Sequence, residues 1–398
     1  MAAATQYTKT KRDNAIKKNK YSRTYYILSL TINNMKLKKY LVALVSIAML
    51  SGCDMMKEDE DLTNCGLFVT FKYDYNLQRS DMFGDHVGGV TLYVFDSDGR
   101  FVRTYENNNI PSMGMMLDGQ YTHAMQILDL PEGKYRLIAL ANQKSYEATL
   151  ATPGAKYRRS SLAVGDDNEK LTVTLDRETG RVSNSLSAEN ISYVSNAAPL
   201  DTLWHGMSGA EVVEVKDADK TIANISMVRD TKMLTIGLHN LDDPTDISTE
   251  EFDYFIVDCN GRLAYNNTLL PDDDLVYTPF YKWNTDNADL NGGVATERTA
   301  HACLTFNRLI WHEKSEENAL LIIRNRNTGK EVAAIDLTYF LAQGRNAYDL
   351  FAYSRQEYLD RAYDFYMDFF IRNDKWQYAE LRINVLSWAM RIQNVDLD

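Results

Sequence analysis

The chain has 398 residues, with 43 Lys and Arg against 55 Asp and Glu, which gives a formal net charge of −12. From residue 53 onward the balance is 33 basic to 54 acidic residues, a net charge of −21, because residues 1–52 hold ten basic residues and one acid. This charge disfavours nucleic acid as a partner, because that binding depends on neutralising phosphates. The length after residue 53 is sufficient for two domains with their own cores.

Residues 35–53 have the pattern of a bacterial lipoprotein signal peptide. Three lysines precede an apolar run at residues 40–50, which is shorter than the roughly 20 apolar residues that a membrane-spanning helix needs. The run ends in Leu-Ser-Gly-Cys, where small residues suit a peptidase and the thiol suits acylation. We therefore predict cleavage between Gly52 and Cys53 and lipidation of Cys53. The alternative is a short buried helix that ends in Gly-Cys.

Acyl chains on Cys53 would attach the rest of the chain to a membrane without spanning it, contributing about 0.8 kcal/mol per buried methylene. Residues 53–65 are predicted to be a lipidated acidic tether. Their Lys-Glu-Asp-Glu-Asp run at 57–61 has no apolar area to bury and is expected to stay solvated. This run also resembles the export signal of surface-exposed lipoproteins of Bacteroidetes; a plain acidic linker is the other interpretation.

Residues 1–34 form a basic arm upstream of this signal, with seven Lys and Arg and one acid. An arm that precedes a secretion signal would not meet nucleic acid. We interpret residues 1–52 as an upstream arm plus signal peptide, and we expect translation to start at Met35.

From Gly66 onward the chain predicts mostly strands. Apolar side chains alternate with polar ones in residues 67–73, the period of a half-buried strand. Residues 90–105 predict two strands joined by the turn Asp-Ser-Asp-Gly at 96–99, where Gly supplies the positive φ of a hairpin. Further strands are expected at 121–130 and 134–142, and loops with short strand or helix pieces at 145–200.

A second copy of this pattern begins at residue 233. Asp258, Gly261 and Arg262 match Asp96, Gly99 and Arg100 at one constant offset, which predicts a second hairpin of the same kind. Such a repeat suggests two related β domains. We assign residues 66–228 to an N-terminal β-sandwich and residues 229–398 to a C-terminal one. Both are expected to be antiparallel, so the fold class is all-β.

The second half also predicts one short helix. Ser354 and Glu357 form a capping box, and the helix is expected to end near Ala362. The remaining strands are expected at 304–311, 320–326, 331–336, 363–371 and 381–385.

The sequence contains no enzyme signature, so no catalytic, cofactor-binding or metal-binding residue is predicted. Four weaker patterns remain. For the first three we favour a purely structural role of the residues, and the fourth we leave open. They are a His301–Cys303 nucleophile pair, calcium at Asp272, Asp273 and Asp274 or at the 96–99 turn, a sugar-stacking platform of Trp204, Trp283, Trp311, Trp376 and Trp388, and a Cys259–Cys303 disulfide, which stays open.

Several stretches together resemble one known family. They are CGLFVTFKYDY at 65–75, VTLYVFDSDGRFV at 90–102, EYLDRAY at 357–363, INVLSW at 383–388 and NVDL at 394–397. In this order they resemble the FimB/Mfa2 fimbrial anchor family of Bacteroidetes. The resemblance implies two tandem transthyretin-like sandwiches, lipid attachment through Cys53, a place at the base of type V fimbriae, and no catalysis.

The resulting hypothesis is a lipid-anchored outer-membrane protein that binds fimbrial shaft or accessory subunits by β-strand addition. The alternative is a surface glycan-binding lipoprotein, which would share the signal, the tether and the β modules. The sequence names neither the partner subunit nor the strand edge that binds it, and it does not say whether the protein limits fimbrial length.

Overall fold

Alternating apolar residues produce strands over most of the chain. The structure, a computed structural model, describes residues 65–183, 190–216, 219–288, 295–346, 353–383 and 388–393. The predicted arm, signal peptide and tether up to residue 64, including Gly52 and Cys53, lie outside the described residues. Short α-helices interrupt the strands at α1 (Phe83–His86), α2 (Tyr146–Leu150), α3 (Leu337–Ala342) and α4 (Arg355–Arg361).

Strands of the first half, in chain order, are β1 (Gly66–Lys72), β2 (Gly89–Asp96), β3 (Phe101–Asn107), β4 (Gly114–Leu117), β5 (Gln120–Ile127), β6 (Gly133–Asn142), β7 (Tyr157–Arg159), β8 (Thr172–Leu175), β9 (Glu178–Gly180), β10 (Ile191–Tyr193), β11 (Leu203–Ser208), β12 (Val213–Val215) and β13 (Lys220–Arg229). Those of the second half are β14 (Lys232–Asn240), β15 (Phe252–Asp258), β16 (Arg262–Ala264), β17 (Leu275–Tyr277), β18 (Tyr281–Ala288), β19 (Ala295–Phe306), β20 (Leu320–Asn325), β21 (Glu331–Asp336), β22 (Asp364–Arg372), β23 (Lys375–Ile383) and β24 (Trp388–Gln393). Turns of 3₁₀ helix lie at Ile110–Met113, Asn168–Lys170, Thr249–Glu251 and Ser315–Glu317.

These strands form four sheets. The first has nine strands in the order β3-β2-β6-β11-β13-β1-β5-β4, and β12 pairs with β6. The second has the order β21-β20-β15-β17-β10-β9, and the third has the order β18-β19-β14-β22-β23-β24. A small sheet joins β16, β8 and β7. The predicted all-β class with few helices is therefore confirmed.

The expectation of purely antiparallel sheets is wrong at three places. β1 pairs in parallel with β13, β14 pairs in parallel with β22, and β10 pairs in parallel with β17. A period-two pattern shows which face of a strand is buried but does not show which strand lies beside it. Parallel neighbours also need a long connection, so no local turn signal announces them.

The two similar turns have different outcomes. The turn after β2 is the predicted hairpin: β2 pairs with β3, and Asp96 Oδ1 accepts from the backbone N–H of Asp98 (2.9 Å) and Arg100 (2.8 Å). The second predicted hairpin is wrong, because β15 pairs with β17 and β20 while β16 pairs with β8. Asn260 in this turn is fully buried and donates to the carbonyl oxygens of Asn307 and Arg308, so long-range bonds redirect the chain there.

The chain passes from the nine-stranded sheet to the third sheet at Asp230 and Thr231, close to the boundary expected from the sequence. The halves also interlock, because β9 and β10 join the second sheet and β8 pairs with β16. The division into domains at 228/229 stays a prediction.

Two clusters of buried apolar side chains make up the core. One lies within residues 67–227 and covers one face of the nine-stranded sheet, with Trp204, Phe71 and Leu137 fully buried. The other runs from Tyr93 to Leu381 and therefore contains side chains from both halves.

The helix α4 begins as predicted, with Ser354 accepting from the N–H of Glu357.

Charged residues are buried where the chain crosses between the sheets. Lys232 is fully buried, and its Nζ donates to the carbonyl oxygens of Asp360 (2.9 Å) and Ala362 (2.8 Å). The Arg308 guanidinium binds both carboxylate oxygens of Asp360, at 2.7 Å each. Burial lowers the pKa of Lys232 and raises that of Asp230. We call Asp230, Lys232, Arg308 and Asp360 the buried joint.

Replacing Asp360→Ala is expected to lower the free energy of unfolding by about 3–5 kcal/mol, because it leaves Arg308 buried without its carboxylate partner. Urea denaturation at pH 7 measures this change. Glu317→Ala, which removes the exposed partner of Lys314 at 3.0 Å, is the control and should change the stability by less than about 1 kcal/mol. Similar small losses in both variants would show that the buried joint contributes little to stability.

Candidate functional site

The described chain begins where the predicted tether would join the folded body. The N–H of Gly66 donates to the carbonyl oxygen of Asp219 (3.1 Å), and Gln126 Nε2 donates to the carbonyl oxygen of Cys65 (3.2 Å). Gly66 has a φ of +90°, and a Cβ there would lie 2.6 Å from the carbonyl oxygen of Ile127. Only glycine fits this position without a backbone shift. We call these five residues the root.

From the root, β1 runs through the interior of the nine-stranded sheet between β13 and β5. Its side chains are buried on both faces: Leu67 and Phe71 are fully buried on one face, and Phe68 and Thr70 are nearly so on the other. Thr70 Oγ1 donates to Asn224 Oδ1 of β13 at 2.7 Å. A segment that entered through Cys65 would therefore continue directly into a central, well-buried strand of this sheet.

The loop after β1 contacts the second half of the chain. Arg79 Nε donates to Tyr353 Oη at 2.8 Å, and the Arg361 guanidinium lies over the ring of Tyr75 at 4.1 Å. Asp81 Oδ1 fixes the start of this loop by accepting from the N–H of Tyr73 at 2.9 Å. The root is thus linked to both halves through one continuous stretch.

The outermost strands of the sheets are the second candidate surface. At one edge of the nine-stranded sheet, Met116 of β4 lies opposite Tyr121 of β5, and their side chains are 66% and 67% exposed. A two-residue turn at Asp118 and Gly119, both with positive φ, joins the strands. We call β4 with residues 120–123 of β5 the β4–β5 edge. An exposed edge with apolar side chains is the kind of surface to which an extended segment adds.

The opposite edge of this sheet, β3, has a different character. Arg103 Nη1 lies 2.6 Å from Asp129 Oδ2, and Tyr105 Oη donates to Asp129 Oδ1 at 2.8 Å. The hydrogen bond from Tyr105 and the charge of Arg103 lower the pKa of Asp129. Charged side chains on an edge strand oppose pairing with another chain. The β4–β5 edge is therefore the better of the two for docking.

The tryptophans do not form a common platform in the described part of the chain. Trp204 is fully buried, and the Trp283 ring stacks between Tyr281 (5.1 Å) and His301 (4.8 Å). Trp311 lies under the Arg355 guanidinium, and Trp376 packs edge-on against Phe340 and Phe369. The side chain of Trp388 lies outside the described residues. These four rings contact different neighbours in different parts of the fold and so do not present one shared surface for sugar stacking.

The predicted His–Cys pair lacks the features of an activated nucleophile. Burial raises the pKa of the Cys303 thiol, which accepts from Thr235 Oγ1 at 3.7 Å. Burial lowers the pKa of His301, whose Nε2 lies 2.8 Å from Thr285 Oγ1. Both thiols of the possible disulfide are free: Cys303 is buried, whereas Cys259 is exposed.

Acidic side chains that could suggest calcium already have protein partners. Asp272 accepts two hydrogen bonds from Arg177, at 2.8 and 2.5 Å, and Asp274 accepts from the Cys259 thiol at 3.2 Å. Burial raises the pKa of that thiol to about 11. Among the described residues, no group of three or more His, Cys, Asp or Glu is arranged to hold a metal ion.

Two further histidines have structural surroundings. Burial lowers the pKa of His205 to about 4, and its Nε2 lies 2.7 Å from the carbonyl oxygen of Tyr265. Burial also opposes the charge on His239, but bonds with Asp368 and Glu297 outweigh it and raise the pKa of His239. The hydrogen bonds of both histidines are thus made to other groups of the protein. In the described part of the chain, no helix has the length and apolar content to cross a membrane.

Comparison with known proteins identifies the family. The family described as "Fimbrillin-A associated anchor proteins Mfa1 and Mfa2" matches residues 59–394. The chain belongs to this family. Membership confirms the resemblance found in the sequence, and it places the chain among fimbrial anchor and adhesin-like proteins of the cell surface that act with fimbrial subunits, not in a known enzyme family. No curated protein sequence matches the chain.

The chain is also similar to several solved structures. A candidate polysaccharide-binding protein of Bacteroides thetaiotaomicron VPI-5482 is 26% identical, with a TM-score of 0.61 over 83% of this chain and 99% of its own. A candidate adhesin of the same strain is 24% identical, with a TM-score of 0.62 over 83% and 98% of the two chains. The fimbrial anchor protein Mfa2 from Porphyromonas gingivalis is 15% identical, with a TM-score of 0.53 over 83% and 100%. The last two similarities support the fold alone.

The root escaped the sequence analysis for a physical reason. Gln126 and Asp219 lie far from Gly66 in the chain, and nothing in their local pattern marks them. The only available signal was the glycine directly after Cys65, at the start of a buried strand, where glycine is otherwise unfavourable. Exposure of Met116 and Tyr121 is likewise set by the order of strands in the sheet and not by their neighbours in sequence.

Replacing Gly66→Ala is expected to destabilise the protein more than Gly119→Ala does. Both residues have a positive φ, which costs an alanine about 1–2 kcal/mol, but only at Gly66 does a Cβ also meet a backbone atom. Nothing lies within 4 Å of a Cβ at Gly119. Thermal or urea unfolding compares the two variants. Equal losses of stability would mean that the backbone around Gly66 accommodates a side chain as easily as the open turn at Gly119 does.

Proposed function

We propose that this protein is an outer-membrane lipoprotein that anchors a fimbria at its base. In this proposal the signal peptide is cleaved between Gly52 and Cys53, and acyl chains on Cys53 hold the protein at the cell surface. The observation that carries the proposal is the family match, which begins at residue 59, six residues beyond the predicted lipidation site. The protein acts by binding and has no catalytic role.

The tether gives the folded body a limited range above the membrane. Residues 53–65 span at most about 43–47 Å when fully extended, at 3.3–3.6 Å per residue. Their acidic run opposes collapse onto the body, because the body from residue 66 onward is itself acidic, with 33 − 1 = 32 basic and 54 − 5 = 49 acidic residues. The body therefore stays close to the membrane but can turn to meet a subunit.

Fimbrial shaft or accessory subunits bind by β-strand addition in this proposal. An extended segment of one partner completes a sheet of the other, so that main-chain hydrogen bonds supply affinity and side-chain pockets fix the register. The β4–β5 edge suits this role, because Met116 and Tyr121 present exposed apolar surface beside edge backbone. The subunit's segment would bury these two side chains.

The two halves are proposed to be tandem transthyretin-like sandwiches. Support comes from a repeated arrangement: β1 pairs in parallel with β13 and antiparallel with β5, and β14 pairs in parallel with β22 and antiparallel with β19. Each half therefore starts with a central strand that has the same two kinds of neighbour. The glycan-binding alternative has less support, because the tryptophans are dispersed among core and stacked positions.

Replacing Cys53→Ala should release the protein and its fimbriae from cells into the medium, because the acyl attachment is lost. Immunoblots of cell and medium fractions measure the release. Cys65→Ala is the matched control, since it removes a nearby thiol but leaves the predicted acylation site, and it should stay bound to cells. Fimbriae that remain attached in the Cys53→Ala strain would contradict the anchor function.

A pull-down of the intact protein from cells separates the two functional hypotheses. Recovery of fimbrial subunits supports the anchor, whereas recovery of polysaccharide without them supports the glycan-binding alternative. Met116→Asp with Tyr121→Asp should reduce recovery of the subunits if the β4–β5 edge is the docking surface. A control pair on β3, Arg103→Ala with Tyr105→Ala, should leave recovery unchanged.

A further inference from the structure

The tether would join the folded body at β1. The parallel neighbour of β1, β13, leads into the second half of the chain. β1 and β13 run in parallel through seven paired residues, from Gly66 opposite Lys220 to Lys72 opposite Ser226. The tether would be attached at the amino end of β1. The carboxyl end of β13 leads through Asp230 and Thr231 into β14 of the third sheet. The two strands are therefore loaded at opposite ends when the tether and the second half are pulled apart.

This arrangement determines how the hydrogen bonds respond to tension. Pulling parallel strands at opposite ends slides one along the other, so all the bonds between them are strained together. Pulling the same strands apart at one end breaks the bonds one after another, and each step needs less force. Forced unfolding depends on the barrier to the first rupture, so the sliding geometry resists longer.

We propose that the β1–β13 pair is the mechanical clamp that sets how much tension this protein withstands between its membrane attachment and its second half. The inference rests on the proposed function, because the tension arises only if Cys53 is held in the membrane and the body is held by a fimbria. It adds a load-bearing role to one strand pair.

Several contacts strengthen the clamp on the side of β1. The side chains on both faces of β1 are buried, so sliding would expose apolar area as well as break backbone bonds. Thr70 and Asn224 add a side-chain hydrogen bond across the pair at 2.7 Å. On its other side, β1 pairs with five residues of β5, from Leu67 opposite Ile127 to Phe71 opposite His123.

The far end of β13 is fixed equally well. The N–H of Asp230 donates to the carbonyl oxygen of Leu203 at 2.9 Å, and Asn267 Nδ2 donates to Asp230 Oδ1 at 2.8 Å. Two residues later, the buried Lys232 Nζ binds backbone carbonyls at the end of α4. Tension that reaches Arg229 therefore passes into the buried joint and not into a loose linker.

Single-molecule force spectroscopy of the mature chain, residues 53–398 produced without acylation, tests the clamp. The Cys53 thiol provides one handle in a Cys65→Ser, Cys259→Ser background. The second handle is Thr328→Cys, in the exposed β20–β21 turn of the second half, or Lys216→Cys, in the exposed segment just before β13. The first pair of handles loads β1 and β13 at opposite ends, and the second pair opens them from one end.

We expect the first rupture with the Thr328→Cys handle to need a severalfold higher force than with the Lys216→Cys handle. The length of chain released, about 3.3–3.6 Å per residue, identifies which half opens first. Equal rupture forces in the two geometries would overturn the proposal. So would a first rupture, in the Thr328→Cys geometry, that releases residues of the second half.

A cross-link across the clamp provides an independent control. Thr70→Cys with Asn224→Cys places two thiols on side chains that already touch, so that oxidation joins β1 to β13 covalently. The first-half rupture should disappear in the oxidised protein and return on reduction. An unchanged first rupture after oxidation would show that the load does not pass through this pair. These measurements use unacylated protein, so they remain informative whether or not the Cys53→Ala strain releases its fimbriae.

Discussion

Parallel pairing between β1 and β13 is the constraint on which the rest of the topology depends. Parallel neighbours cannot be joined by a tight turn, so the chain must leave β1, build most of the first half and return beside it. The same constraint applies between β14 and β22 in the third sheet. Because each of these central strands also has an antiparallel neighbour, the edges fall to shorter or more polar strands such as β4 and β3.

The charged residues of the buried joint fix the orientation of their neighbours more than they contribute net attraction. Taking charges such as Lys232 and Asp360 out of water costs free energy that their mutual attraction only partly offsets. The planar guanidinium of Arg308, however, donates to both carboxylate oxygens of Asp360 and so holds this carboxylate in one orientation, with two equal bonds. The buried joint therefore fixes how α4 lies against the start of β14.

The sequence predicted the elements better than their partners. Alternation in residues 67–73 correctly placed β1, yet it suggested a half-buried strand, and Phe68 and Thr70 turn out to be buried as well. The similar sequences that start at Asp96 and Asp258 predicted two hairpins, of which only the one at Asp96 forms. At Asn260 the local preference is the same, but hydrogen bonds to residues nearly fifty positions away decide the path.

The candidate site was likewise predictable from the sequence only in part. Cys53 could be proposed from the sequence because a lipoprotein signal is a local pattern that needs no fold, and its lipidation stays a prediction. Gly66 has a recognisable local signal, but its contact with Ile127 depends on strand register. The β4–β5 edge could not be foreseen, because whether a strand is central or outermost is a property of the assembled sheet.

The wide separation of β1 from β13 has a consequence for biogenesis. Thr70 and Asn224 meet across 154 positions, whereas Gln126 reaches Cys65 across 61. Contacts this distant form slowly, and β1 lacks one of its two neighbours until residues near 226 have been synthesised. The amino-terminal strand therefore keeps its apolar side chains exposed, and prone to aggregation, until almost all of the first half is available to cover them.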